Sequence, residues 1–219
     1  MGKSDPYVFN TYKQFFNYYS SLKNVSNQFE SVCFLGQDKD NGFTKIIEAK
    51  NRDFFDISLE NWNINEFPYN FERKYDLIVC TRCPYFCNDP SRFLNELSIF
   101  LNPGGRIFLD WGLGDHLRYD KFRVGFQDEN EKEQCYFEGN YMSSCLWDDE
   151  FMNQDGTKIF NDRIKKYGYE DLNEAIYKEV PNVININDLK ENFVNISTFC
   201  FPLWEEMPQL YIIVQGTKK

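Results

Sequence analysis

Residues 75–111 read YDLIVCTRCPYFCNDPSRFLNELSIFLNPGGRIFLDW, and this stretch decides the fold. Residues 77–80 form a short apolar run with β-branched members, which predicts a buried strand. Asp89 and Pro90 suit the N-cap and the first position of a helix, and apolar residues then recur at helical spacing. The LNPGG stretch ends this helix in a turn, and residues 106–110 predict a second strand. Strand, helix, tight turn and strand make a parallel βαβ unit.

The composition limits the class of protein. A length of 219 residues is enough for one sizeable domain with its own core. No segment is long and apolar enough to span a bilayer, and the N-terminal MGKSDPYVFN lacks the apolar core of a signal peptide. We therefore expect a cytoplasmic protein without a membrane partner. The net charge of -10 repels phosphate backbones, so nucleic acid is a disfavoured partner.

The seven cysteines are an odd number, and several lie inside apolar runs, which indicates reduced and mostly buried thiols. Cys80, Cys83 and Cys87 have the spacing C-x2-C-x3-C, which could belong to a metal or iron–sulfur site. No further pair of ligands lies nearby, and His116 is the single histidine. We therefore predict no metal site.

The residues before the βαβ unit predict a strand over 31–36, which ends at Gly36, and a short helix over 43–50. In a strand, glycine turn and helix, backbone N–H groups and a helix N-terminus can meet an anionic group. The full G-x-G-x-x-G pattern is absent, so this signal is weak by itself.

Residues 54–59, FFDISL, predict the next strand, and Glu60 follows it about 24 positions beyond Gly36. Doubly wound folds place an acceptor for ribose hydroxyls at about this distance from the glycine turn. The alternative is an ordinary solvated glutamate. Asp56 is a second candidate, but this interpretation places it in the middle of the strand.

The remaining segments complete a single domain over 1–219. Residues 7–22 predict an amphipathic helix with an aromatic face that packs on the core or over a site. Residues 112–170 begin loop-rich after a strand end and predict a substrate or lid insertion. Two apolar runs within 193–216, separated by a short polar turn, predict an antiparallel hairpin.

The chain at this point resembles the class I S-adenosylmethionine-dependent methyltransferases. The stretch YDLIVCTR…CNDPSRFLNELSIFLNPGGRIFLD is similar to that family's fourth strand, following helix, L-x-PGG turn and fifth strand. The closing hairpin, ending LYIIV, is similar to the last two strands, and the resemblance spans roughly 31–111 and 193–216. It implies an α/β fold, a doubly wound and mostly parallel Rossmann-like sheet with a C-terminal antiparallel hairpin.

The chain departs from the family pattern in two ways. The glycine-rich first loop is reduced to Gly36 and Gly42. Only 38 residues separate Gly36 from Tyr75, whereas the family places two strands and a helix in this interval. We therefore expect the second or the third strand to be missing or very short.

The resemblance implies S-adenosyl-L-methionine as cofactor, bound at the carboxyl ends of the strands. The first strand end would hold the methionine part, Glu60 the ribose hydroxyls, and Trp62 would offer the adenine a stacking face. Thr81 and Arg82 would lie near the sulfonium and the carboxylate. The candidate cofactor contacts are Gly36, Gln37, Asp38, Glu60, Asn61, Trp62, Thr81, Arg82 and Tyr85.

Methyl transfer depends mainly on alignment of the acceptor with the methyl group, and an acceptor hydroxyl or amine can also need a base. His116 lies in the loop after the fifth strand and titrates near neutral pH, so it is the candidate base, against the alternative of a surface histidine. Asp110 and Asp115 could orient His116 or bind substrate. The implied acceptor is a small molecule or a sugar or peptide group.

Two other functions are compatible with the sequence. A methyltransferase-like fold that has lost catalysis could serve as a binding or scaffolding protein, which the reduced glycine loop favours. Another doubly wound nucleotide-binding enzyme is the third possibility, but the LNPGG unit and the C-terminal hairpin argue against it. The sequence leaves the oligomeric state open.

Overall fold

The computed structural model describes residues 6–37, 43–113, 143–148, 161, 165, 168–202 and 210–219. The helices and strands within them are α1 (Pro6–Lys23), β1 (Phe29–Leu35), β2 (Ala49–Phe55), β3 (Tyr75–Cys80), α2 (Pro90–Ile99), β4 (Leu101–Leu113), β5 (Ser144–Trp147), α3 (Leu172–Glu179), β6 (Asn182–Asn185), β7 (Phe193–Pro202) and β8 (Leu210–Lys218). No helix of the described part is long and apolar enough to cross a membrane.

Six strands form the central sheet in the order β2-β1-β3-β4-β8-β7. The first four are parallel, and β8 and β7 run antiparallel to their neighbours. The predicted fold class is therefore confirmed, a mostly parallel α/β sheet that ends in a C-terminal antiparallel pair. Strands β5 and β6 form a separate parallel pair.

The sheet is covered on both faces, as parallel strands require. Side chains alternate along β3, so Leu77 and Val79 join the core on the side of α1, whereas Ile78 and Cys80 join the core on the side of α2 and α3. The predicted aromatic N-terminal helix and the predicted βαβ unit thus form the two sides of one sheet.

Arg106 of β4 is a buried cation that attaches α1 to the sheet. It is 3% exposed, and its guanidinium carbon lies 4.9 Å from the ring centroids of both Phe16 and Tyr19. Its Nη1 donates to the Ser26 carbonyl oxygen at 3.0 Å. Burial lowers the pKa of this guanidinium to about 10, so it still carries its charge at neutral pH. Cation–π contacts of this kind are stronger when the cation is desolvated.

The strand predicted over 54–59 was wrong in its position, since β2 runs from Ala49 to Phe55. Its residues are half-buried except for the exposed Lys50, and polar residues such as Arg52 are tolerated because β2 lies at the edge of the sheet. The apolar Ile57 and Leu59 belong instead to an exposed 3₁₀ turn. The apolar residues therefore shifted the predicted strand toward the C-terminus, to 54–59 instead of Ala49–Phe55.

The helix predicted over 43–50 was also wrong. A single 3₁₀ turn, Thr44–Ile46, is followed directly by β2. Phe43 and Ile47 have helical spacing, but this spacing reflects burial of both against Tyr12 and Phe16 of α1. Because α1 covers this face of the sheet, the connection between β1 and β2 does not need a full helix there.

The strand of the family pattern that is missing from this sheet is the third one. β2 pairs with β1, so the second strand of the family pattern is present. Residues 56–74, all of them described, contain no strand, and β2 pairs with no second strand among the described residues. The interval that the family fills with a third strand and its helix is therefore occupied by turns.

The LNPGG turn was predicted as a break between helix and strand, but β4 already begins at Leu101. Leu101 pairs with Tyr75 and Arg106 with Leu77, so residues 102–105 bulge out of the register.

The C-terminal hairpin is present as predicted, with β8 between β4 and β7. The expected 112–170 insertion lies mostly outside the described residues, so its role stays a prediction.

Asp76 ties the amino ends of three strands together. Its Oδ2 accepts the backbone N–H groups of Glu30 and Ser31 at 2.9 Å, and its Oδ1 accepts from Asn102 Nδ2 at 2.8 Å. Burial by itself would raise the pKa of this carboxyl, but the hydrogen bonds from Asn102, Ser31 and Glu30 outweigh burial and hold the pKa below its usual value.

We expect Asp76→Asn to lower the free energy of unfolding at neutral pH and to flatten its dependence on pH. A pKa below the unfolded value of about 3.9 means that the stabilisation is fully present above that pH and is lost as the pH falls through the folded-state pKa. Urea unfolding at pH 6 and pH 3 measures both effects. Glu191→Gln, at an exposed position, removes the same charge as a control, and an equal pH dependence in the two variants would contradict the prediction.

Candidate functional site

A cleft of about 340 Å³ lies at the carboxyl ends of β1, β2 and β3. This volume is within the range of small-molecule sites, and the carboxyl ends of parallel strands are where open α/β sheets bind ligands. The wall combines apolar side chains with one carboxylate and one guanidinium. Its lining residues are Gly36, Asp56, Ile57, Trp62, Asn63, Ile64, Asn65, Arg82, Cys83 and Phe86.

Gly36 ends β1 in the left-handed region, with a φ of 67°. A Cβ atom at this position would lie 2.7 Å from Cys83 Sγ and 2.8 Å from Cys83 Cβ. Glycine is therefore required both by the backbone conformation and by the close approach of Cys83. The side chain of Cys83 occupies the space directly over this glycine, which the sequence interpretation left to the cofactor.

Gln37 links the loop after β1 to the loop after β3. Its side chain is 2% exposed, and Nε2 donates to the Thr81 carbonyl oxygen at 3.1 Å and to the Thr81 hydroxyl. Gln37 Oε1 is buried and accepts no hydrogen bond from the described residues. Gln37 and Thr81 thus lie beside the cleft and tie two of its strand ends together, while neither is part of its wall.

Arg82 is the cation of the cleft wall, and it also has a left-handed backbone with a φ of 57°. Its backbone N–H donates to the carboxylate of Asp110 on β4, which also accepts the hydroxyl hydrogen of Tyr12. Asp110 is fully buried and is not part of the cleft wall. Asp110 therefore contacts the loop behind the cleft rather than the cleft itself.

The carboxylate in the cleft wall is Asp56, directly after β2. Its Oδ1 accepts the backbone N–H of Ser58 at 2.7 Å, and the side chain is 2% exposed. Glu60 is exposed, with a φ of 55°, and does not line the cleft. Sequence reasoning considered Asp56 and set it aside because β2 was placed too late in the chain.

Asn61 stabilises the turn that follows β2. Its Oδ1 accepts the backbone N–H of Asp56 at 2.9 Å, and its Nδ2 donates to the Phe54 carbonyl oxygen at 3.0 Å. Asn61 lines a second cavity of about 530 Å³ beside the outer edge of β2 rather than the cleft. These hydrogen bonds fix the turn that places Asp56 in the cleft wall.

Trp62 and Tyr85 lie at different depths. Trp62 lines the cleft, and its Nε1 is buried with no hydrogen-bond partner in the described part of the chain. Its ring packs edge-on against Tyr69 at 5.5 Å. Tyr85 is 4% exposed, packs against Phe86 and is not part of the wall.

Three predicted site residues, Asp38, Asp115 and His116, lie outside the described residues. The structure therefore brings together Gly36, Trp62 and Arg82 in the cleft wall. It places Gln37, Thr81, Tyr85 and Asp110 behind the wall, and Glu60 and Asn61 away from the cleft. Asp56 and Cys83 were not among the predicted contacts.

Two cysteines near the cleft, Cys80 and Cys87, are fully buried. Burial, followed by the hydrogen bond and charge of Cys83, raises the pKa of Cys80 well above the usual thiol value, and burial raises the pKa of Cys87 to about 12. No group of three or more His, Cys, Asp and Glu side chains in the described ranges could hold a metal ion.

We expect Gly36→Ala to lower the free energy of unfolding by about 2–4 kcal/mol, because the left-handed φ and the overlap with Cys83 both add strain. Adding Cys83→Gly should recover part of this loss, since it removes the overlapping atoms. Gly104→Ala is the matched control, because Gly104 has a φ of 73° but no atom within 4 Å of the position that a methyl group would occupy. Equal losses at both glycines in urea unfolding would show that the overlap with Cys83 has no cost.

Comparisons with known proteins give a short sequence match and several structural ones. No family model matches the chain. A stretch of 54 residues is 43% identical to the tRNA U34 carboxymethyltransferase of Campylobacter curvus and covers 25% of the chain and 18% of that protein. The match thus spans less than a fifth of the length of that curated relative.

The structure is similar to solved methyltransferases at low sequence identity. The N-methyltransferase NodS from Bradyrhizobium japonicum WM9 is 11% identical with a TM-score of 0.48, and the alignment covers 99% of each chain. An S-adenosylmethionine-dependent methyltransferase from Clostridium acetobutylicum is 12% identical with a TM-score of 0.46, covering 94% of this chain and 91% of that one.

The strand order of the central sheet defines the fold. Four parallel strands are followed in the sheet by β8 and β7, with α1 on one face and α2 on the other. This is the arrangement that the sequence resemblance implied, shortened by one strand at the β2 edge. The chain therefore has a Rossmann-like α/β fold, in the strand order that the resemblance to the class I S-adenosylmethionine-dependent methyltransferases implied.

Proposed function

We propose that the chain is an S-adenosylmethionine-dependent methyltransferase that binds its cofactor in the cleft at the ends of β1, β2 and β3. The observation that carries this proposal is the composition of the wall. The wall contains an acidic side chain that follows β2, a cation that follows β3, and an aromatic ring from the segment that joins these strands, which are Asp56, Arg82 and Trp62. These three groups are complementary to ribose hydroxyls, an amino-acid carboxylate and an adenine ring.

We assign the ribose hydroxyls to Asp56 rather than to Glu60. One carboxylate oxygen of Asp56 accepts from Ser58, and the other receives no hydrogen bond from the described residues. This second oxygen is not one of the buried side-chain atoms that lack a partner, so it remains accessible, and a ligand hydroxyl in the cleft could donate to it. The unpartnered Nε1 of Trp62 supports a polar ligand in the same cleft.

The cofactor, when bound, supplies an activated methyl group. The chain's own residues would hold it, with Arg82 pairing with the carboxylate and the buried Ile64 providing an apolar part of the wall. The acceptor would be a small molecule or a sugar or peptide group. We keep His116 as the proposed base, with Asp115 as a residue that could orient it.

A tRNA acceptor has less support. The 43% identity to a tRNA carboxymethyltransferase extends over 54 residues only, and the chain carries a net charge of -10. A negative net charge repels the phosphate backbone of a tRNA. The acidic character therefore favours a small or peptide-like acceptor.

One observation favours a binding or scaffolding protein as the second candidate. The side chain of Cys83 fills the space over Gly36, where the family's glycine-rich loop leaves room for its ligand. If the cofactor does not enter the cleft, the folded domain could still bind a partner protein. Cofactor binding therefore separates the two functions.

We expect S-adenosylhomocysteine to raise the melting temperature of the protein. A ligand at 100 times its dissociation constant stabilises the folded state by about 2.7 kcal/mol. Asp56→Asn should reduce this shift strongly, while the matched variant Glu60→Gln should keep it. A shift lost only in Glu60→Gln would return the ribose to Glu60, and no shift of the wild type at millimolar ligand would exclude the methyltransferase.

We also expect His116→Ala to abolish methyl transfer while S-adenosylhomocysteine still binds. The assay measures transfer of a labelled methyl group from S-adenosylmethionine to a panel of amine and hydroxyl compounds. Loss of a general base costs about 10²–10⁴ in rate. If the labelled product forms at the wild-type rate, His116 has no part in the reaction.

A further inference from the structure

We infer that Asp110 is a positioning residue, whose buried carboxylate holds the Arg82 backbone in its left-handed conformation and so keeps the guanidinium in the cleft wall. Arg82 would then recognise the anionic, amino-acid end of the ligand only with Asp110 in place. This inference rests on the proposed function, because it takes that end to be the carboxylate of S-adenosylmethionine. It gives Asp110 a role different from the orientation of His116 or the binding of substrate.

Asp110 is placed for this task by the pairing of β3 with β4. Leu109 is opposite Cys80, the last residue of β3, so Asp110 lies one step beyond, next to the loop that carries Arg82. Alternation along β4 directs Asp110 to the same face as Phe108, which packs under α1. Tyr12 of α1 lies on that face with its ring edge-on to Phe108 at 5.9 Å.

The burial of Asp110 requires an explanation. Its side chain is 0% exposed, and a buried carboxylate is costly unless hydrogen bonds or charges compensate for the lost water. Tyr12 and the Arg82 backbone donate two such hydrogen bonds, and charge-assisted hydrogen bonds are about twice as strong as neutral ones. A hydrocarbon side chain could fill the same space without this cost, so the acceptor oxygens of Asp110 have a use.

The backbone of Arg82 provides the second observation. A left-handed conformation costs a residue with a side chain about 1–3 kcal/mol and persists only where the surroundings enforce it. The neighbours on both sides are held, since Thr81 accepts from Gln37 and Cys83 packs on Gly36. Glycine would adopt this conformation without strain, so an arginine here indicates that its side chain is needed.

Asp110 lies too far back to act on the ligand directly. It is not part of the cleft wall, and it contacts the backbone behind Arg82 on one side and α1 on the other. Its effect on the ligand would therefore pass through Arg82 and would concern the anionic part of the ligand. This restriction distinguishes positioning of Arg82 from a general contribution to stability.

The test compares two ligands by calorimetry, S-adenosylhomocysteine and 5′-methylthioadenosine, which lacks the amino-acid part. We expect the wild type to prefer S-adenosylhomocysteine. Arg82→Gln and Asp110→Asn should each lower this preference by about tenfold, the size of one charge-assisted hydrogen bond or ion pair. The double variant should be no lower than either single variant, because both changes remove the same interaction.

Asp76→Asn is the matched control, since it neutralises a carboxylate that also accepts backbone N–H groups, at the opposite end of β3. It should leave the preference unchanged. If Asp110→Asn weakens both ligands equally, or changes neither, Asp110 does not position Arg82. If Asp110→Asn does not fold, Tyr12→Phe decides, because it removes one hydrogen bond and should lower the preference, whereas an unchanged preference would overturn the inference.

The outcomes for the wild type separate this inference from the proposed function. Equal affinity for both ligands would leave the methyltransferase proposal standing and would overturn recognition of the carboxylate by Arg82. Binding of neither ligand would overturn the proposed function and the inference with it. A preference that falls only in the Arg82, Asp110 and Tyr12 variants supports both.

Discussion

Parallel pairing of β3 between β1 and β4 is the constraint on which the rest of the structure depends. A parallel strand that is buried on both faces has to be covered by helices on both sides. The α1 helix does so over Leu77 and Val79, and α2 over Ile78 and Cys80. The same pairing brings the carboxyl ends of these strands to one edge, where the loops after them meet and form the cleft.

Side chains then connect the strand ends in a row. Gln37 after β1 donates to Thr81 after β3, the backbone of Arg82 donates to Asp110 on β4, and Tyr12 joins this row to α1. Each contact is between residues far apart in sequence and is buried or half-buried. Polar groups in such a setting stabilise one arrangement strongly, because leaving any of them unpaired is costly. The shape of the cleft wall therefore depends on elements that do not touch the cleft.

The shortened edge of the sheet did not remove the cleft. Residues 56–65, which replace a third strand by turns, supply most of its wall. Asp56 and Trp62 both come from this segment, and Asn61 fixes its first turn by hydrogen bonds to the end of β2. The loss of a strand is thus compatible with a ligand site, although Cys83 narrows it beside Gly36.

The sequence by itself determined the centre of the sheet and its C-terminal pair. Residues 75–80, 90–99 and 193–202 carry strong local signals, since apolar runs, an Asp-Pro helix start and a strand pair around a polar turn act through near neighbours. Helical spacing along residues 7–22 was sufficient for α1 in the same way. Arg82 could be placed after the end of β3 for this reason.

Only the tertiary structure decided the edge strand and the roles of the acidic residues. β2 is polar because it lies at an edge, and no local pattern distinguishes a polar edge strand from a loop. Asp56 therefore appeared to be inside a strand, and Glu60 appeared to follow one. The contact between Tyr12 and Asp110 joins residues 98 positions apart in the sequence. A buried contact between such distant residues depends on tertiary packing, which a local sequence pattern does not reveal.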